Sequence, residues 1–139
     1  MRALTWLVPL VLAGACVHAL HEPPPLGSLG SPTLPARADL TSSRPVDVDA
    51  LLPDAAARFG ERPDTSAVAA ALDLYLRAAR ADEHRVEGLL GAATALAWLV
   101  EHEHDAARRQ ALAIEAVQAC QWCLRRAPGN VECTYHLAL

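Results

Sequence analysis

Cysteine and histidine are the residues of this chain with the most chemistry to offer. Cys120, Cys123, Cys133 and His136 read C-x2-C-x9-C-x2-H. Residues three apart share a helix face. Cys120/Cys123 and Cys133/His136 would then sit on facing flanks of one helical hairpin. Three outcomes are open. One disulfide could staple the hairpin, with Cys133 joined to Cys123 or, one turn deeper, to Cys120. All three thiols could pack as small apolar side chains. The four side chains could hold a structural zinc tetrahedrally. The disulfide is the favoured reading and no metal is assigned. Cys120-Gln121-Trp122-Cys123 lies inside an apparent helix, away from the strand-to-helix setting that activates a redox C-x-x-C. Leu124 stands where haem attachment needs histidine. No other cofactor motif is present.

Glu101-His102-Glu103-His104-Asp105 is dense in potential ligands, but it reads as a solvated, charge-rich loop. Asp82 and Glu83 fall in a turn. No nucleophile elbow, phosphate loop or paired-carboxylate arrangement stands out, so a non-enzymatic protein is expected.

Helices must position these residues. Hydrophobic residues make up 53% and aromatics only 4%, so the apolar content is largely alanine and leucine, both strong helix formers. The net charge of −4 gives no broad basic surface, which argues against nucleic acid. All twelve basic residues are arginine.

Helices are expected from about Asp49 to Phe59, Ser66 to Ala81, Val86 to Val100, and Asp105 to Arg126, with a fifth starting near Val131. In the second, Val68, Leu72, Tyr75, Leu76 and Ala79 make one apolar face. The third is apolar nearly all round, so both its sides should be covered. The fifth is still apolar and uncapped at Leu139, which suggests the front part of a longer protein.

A pattern recurs along these helices. Ala71-x3-Tyr75-x2-Ala78 stands five residues before Glu83. Ala116-x3-Cys120-x2-Cys123 stands five before Pro128. Each copy runs into Val-Glu, at Val86-Glu87 and Val131-Glu132, 45 residues apart. Helix–turn–helix units repeated in this way mark a helical solenoid.

These residues resemble the tetratricopeptide repeat. Small residue, aromatic, small residue and turn proline fall at its spacings. Glu83 departs at the proline of the first copy, and Cys120 at the aromatic of the second. Leu89 stands where tryptophan is usual. The resemblance covers about residues 66–139 and implies an all-α fold of TPR-like antiparallel hairpins. The repeat is longer than the family's usual unit, and the extra length is expected as a longer loop and first turn around Glu101–Arg109.

The N-terminal third reads differently. Arg2 precedes an apolar run, Ala3 to Ala15, too short to span a bilayer. Ala13-Gly14-Ala15 then leads to Cys16. This resembles a bacterial lipoprotein signal, over residues 1–15, and implies cleavage before Cys16 and its acylation. An ordinary secretory signal ending at Ala15 is the alternative. Residues 16–48, rich in Pro, Gly and Ser, are expected as a disordered linker. The helical domain is expected over residues 49–139. Such a protein would lie in the cell envelope, in the periplasm, held to the outer membrane by its acyl chains.

Stacked helix pairs make a concave surface suited to a partner. Leu90, Thr94 and Trp98, with Tyr135 in the last helix, are the candidate lining residues for a protein partner or a ligand. The combination also looks like the T-component lipoproteins of TRAP-type uptake systems, which would imply an accessory that binds a small ligand.

Overall fold

The computed structural model of the protein describes residues 23–30 and 46–138, and the signal expected over residues 1–15 and Cys16 lie outside these. The described residues are helical, without a strand. The helices are α1 (Val48–Gly60), α2 (Thr65–Ala81), α3 (Glu87–His102), α4 (Ala106–Arg126) and α5 (Val131–Ala138). None of them is long and apolar enough to cross a membrane.

Short polar side chains start the helices. Asp47 accepts from the amides of Asp49 and Ala50. Asp64 accepts from the Ser66 amide at 2.8 Å and the Ser66 hydroxyl at 2.7 Å. Asp105 accepts from the Arg108 amide at 2.7 Å. Each occupies amides that have no partner within the helix. The Ser66 hydroxyl, with the Ser66 and Ala67 amides, holds the Asp64 carboxyl below its ordinary value.

Consecutive helices pack antiparallel, and α1 and α5 both also touch α3. The arrangement has two layers: α1, α3 and α5 in one, α2 and α4 in the other. The core lies between them, around Val68, Leu72 and Leu76 of α2 and Ala92, Ala95 and Leu96 of α3, all fully buried. Leu112, Ala119 and Cys120 of α4 complete it. Each fully buried leucine contributes about 1.5–3 kcal/mol from its apolar surface.

The start of α3 lies almost on the backbone of α2. A Cβ on Gly88 would stand 2.7 Å from the Tyr75 carbonyl oxygen and 2.8 Å from the Ala79 amide nitrogen. A Cβ on Gly91 would meet the Tyr75 ring. These glycines set how closely the two helices approach.

Two expectations differ from the structure. The connection after α3 is only Glu103–Asp105, so the extra length of the repeat is not in a long loop. It lies in the helices, for α4 alone has 21 residues. Asp105 caps α4, which lets the helix begin at Ala106 within the polar stretch. The second concerns the linker. Residues 23–30 are seated against the helices, with Leu26–Ser28 forming a 3-10 turn and Leu29 only 2% exposed. Their density of proline and other turn formers predicts a spacer that builds no core of its own. One leucine in a pocket made by other helices needs none.

Gly88→Ala gains helix propensity of about 1 kcal/mol. It must also push two backbones apart, which costs about 1–3 kcal/mol or more. A net loss of stability in urea unfolding is expected. Gly60→Ala, with nothing within 4 Å of its added Cβ, is expected to leave stability unchanged or raise it.

Candidate functional site

The α4–α5 hairpin positions the cysteines. Arg125 and Arg126 end α4, where the helix dipole favours positive charge. Gly129 has φ +87°, a left-handed conformation that glycine adopts without strain. The Asn130 side chain then accepts from the Cys133 amide at 3.0 Å and starts α5. This tight turn brings Cys123 and Cys133 to a Cα separation of 5.9 Å, and they form a disulfide.

Of the alternatives left by the sequence, the staple therefore joins Cys123 to Cys133. Cys120 is a free thiol, buried in the core. The zinc alternative of Cys120, Cys123, Cys133 and His136 does not hold. Two of its sulfurs are bonded to each other, and His136 turns to Thr94. Among the described residues no group of three or more His, Cys, Asp or Glu side chains is placed to hold a metal.

The bridge does for the second helix pair what glycine does for the first. Gly88 and Cys133 are equivalent positions in the 45-residue repeat, as are Ala78 and Cys123. In the first pair Gly88 lies against Tyr75 and Ala79. In the second the same junction is covalent.

The candidate surface residues fall where α3 meets α5. Leu90, Thr94 and Trp98 are half-buried and spaced by four along α3, and Tyr135 is 61% exposed on α5. The Thr94 hydroxyl donates to the Leu90 carbonyl at 2.9 Å. Its oxygen is then free to accept from His136 Nε2, 3.3 Å away. Tyr135 meets the His136 ring edge-on, with centroids 5.8 Å apart. At the far end of the row, Trp98 stacks on His102 with centroids 3.8 Å apart. His102 Nδ1 donates to the Trp98 carbonyl at 2.7 Å.

His102 and His136 were not among the residues expected on this face. His102 continues the four-residue series Leu90, Thr94, Trp98, which was the available signal. In the sequence His136 stands out only through its C-x2-H spacing from Cys133.

The charged stretch 101–105 is occupied with local structure. Glu103 Oε1 accepts from the Asp105 amide at 2.9 Å, and its Oε2 pairs with Arg108 at 3.2 Å. Arg109 donates to the Glu103 carbonyl. Asp82 accepts from the His84 amide in the α2–α3 turn. Arg126 reaches across from α4 to the carbonyls of Asp82 and Arg85. These groups hold turns and caps together.

Comparison of the chain with family models, with curated proteins and with solved structures finds no match.

Two measurements check this site. Closing the ten-residue separation between Cys123 and Cys133 stabilises the fold by about 3 kcal/mol in the chain-entropy account. Reduction is expected to lower unfolding stability by that order. Burial pushes the Cys120 thiol up to about 11. Native protein is therefore expected to resist alkylation near neutral pH, and unfolding without reductant should expose one of these three thiols. Because the folded-state value is raised, the protonated thiol's contribution is complete below about pH 9. It is lost as pH rises from there through about 11. A decline of stability over that window, absent in Cys120→Ala, checks the assignment.

Proposed function

We propose that this is a non-enzymatic helical-repeat module of the tetratricopeptide type. It is exported to the cell envelope, anchored through an acylated Cys16, and offers the α3–α5 face to a protein partner. The observation that carries this reading is the row Leu90, Thr94, Trp98 on α3, joined to α5 through the Thr94–His136 contact. Leu90 and Tyr135 are equivalent positions of the repeat. Successive units thus turn the same face the same way, which is how stacked hairpins build a continuous binding surface.

Aromatic side chains supply contact area at low entropic cost, and Trp98 and Tyr135 are the anchors this surface offers. A cavity of about 60 Å³ lies at the His102 end of α3, between Leu72, Leu99, Leu112, His102 and Arg108. It suits a water-sized occupant. An open face for a protein is preferred to the small-ligand site that the TRAP-type accessory reading would want because Tyr135 stands largely exposed on it.

Two experiments test the parts separately. Intact mass of the membrane-extracted protein is expected to show a chain beginning at Cys16 with added acyl chains, and Cys16→Ser should leave the membrane fraction. An unacylated mass removes the anchor. A photo-crosslinking residue at Trp98 or Tyr135 is expected to give one saturable adduct in the envelope. The same residue at Ile114, exposed on α4, should give none. Equal adducts at all three positions would contradict the assigned face.

A further inference from the structure

The segment 23–30 is bound to the helices as a peptide ligand would be. It runs between α2 and α4, over the part of the core that those helices leave open. Trp122 of α4 donates its indole N–H to the Pro24 carbonyl at 2.8 Å. Arg80 of α2 donates to the Leu29 carbonyl at 2.6 Å. Glu115 of α4 accepts from the Gly30 amide at 3.1 Å. All three contacts are to the segment's main chain. Its side chains are read in two places: Leu29, buried in the core cluster that includes Leu72, Leu76 and Leu96, and Leu26, packed at the edge of the same core. The segment's own hydrogen bonds are local, from the Ser28 amide and hydroxyl to the Pro25 carbonyl and from the Leu29 amide to the Leu26 carbonyl.

The chemistry of the groove is that of a surface meant to be opened. A site that served only as core would be lined by apolar groups. This one carries a glutamate that is 4% exposed. It also carries an arginine whose Nε and Nη1 are buried without a partner. The strap leaves that guanidinium half-used, so its hold is incomplete. Main-chain contacts from a tryptophan, an arginine and a carboxylate, with a leucine in a pocket, are the elements by which proteins bind short peptide segments.

We propose that the groove between α2 and α4 is a binding site for a Pro-Pro-Leu-x-x-Leu-Gly segment that carries a single 3-10 turn at Leu26–Ser28. Residues 24–30 hold it closed in cis, and the same segment presented in trans, from a second copy of this chain, can replace them. The groove is separate from the α3–α5 face and does not depend on its assignment. Along the chain, residues 31–47 separate the strap from α1. Tethering at that length supplies an effective concentration on the order of mM. A segment in trans must therefore compete with the strap, and weakening the strap should open the groove.

The test uses the full chain and a fluorescent peptide of residues 21–31. Leu29→Asp in the chain disables the strap while leaving every groove residue in place. This variant is expected to bind the peptide at least tenfold more tightly than the unmodified chain does, measured by anisotropy. The peptide carrying Leu29→Asp should not bind, and adding Trp122→Ala to the variant chain should weaken binding. Equal binding by both chains, or equal binding of both peptides, overturns the proposal. So does a Leu29→Asp chain that is unfolded by circular dichroism, for the segment is then integral core. A second measurement uses the unmodified, isotope-labelled chain. Excess peptide should move the Gly30 amide resonance toward its solvent-exposed position while α3 resonances stay unchanged. A Gly30 amide that does not move would also overturn it.

Discussion

A helix that is apolar nearly all round cannot face water, and the rest of this structure is arranged to cover one. That helix is α3. Leu89, Ala92, Ala95 and Leu96 are fully buried in it. No single neighbour can enclose such a helix, so four take part. α2 and α4 lie along its flanks, and α1 and α5 touch it within its own layer. Gly88 lets α2 approach closely enough to exclude water at one end. The Cys123–Cys133 bridge holds α5 against α4, where an eight-residue helix has little packing of its own. The gap that remains between α2 and α4 is closed by Leu29.

The same constraint explains where polar side chains are spent. Arg126 ties the end of α4 to the α2–α3 turn, which fixes the two flanking helices relative to each other. Arg80 and Glu115 face the strap from opposite helices and hold it by its backbone. Asp47, Asp64 and Asp105 start three of the helices. Few charges are left inside without such work, as expected when a buried ion needs partners to stay buried. The Leu90–Trp98 row and Tyr135 are what the covering leaves partly open. Val131 adds to the exposed apolar surface of α5.

Much of this was legible in the sequence. Apolar runs placed the first four helices within a residue or two of their ends and the start of the fifth at Val131, helped by the short polar caps Asp47, Asp64 and Asp105. Val68, Leu72 and Leu76 were read as core and are. The all-round apolar character of the third helix pointed to its central position. The pairing of the cysteines was half legible. Spacing required Cys133 in any bridge between the helices, but the choice between Cys120 and Cys123 turned on how sharply Gly129 bends the chain. The strap was not legible. Pro23-Pro24-Pro25 and the glycines around Leu29 argue against a self-contained element, and rightly so. The pocket for Leu29 is built by residues forty and more positions later, and no local pattern announces it. The linker reading also missed that Glu115 and Arg80, polar positions on helices, would have main-chain partners there.

Residue-resolved native-state hydrogen exchange on the oxidised full chain tests the central claim most directly. If α3 is the helix that all others cover, its amides from Leu89 to Leu99 should exchange most slowly, through global unfolding alone. Amides of α1 and α5 should exchange faster, through local opening. Amides of α3 that exchange as fast as those of α1, or faster, would contradict the account.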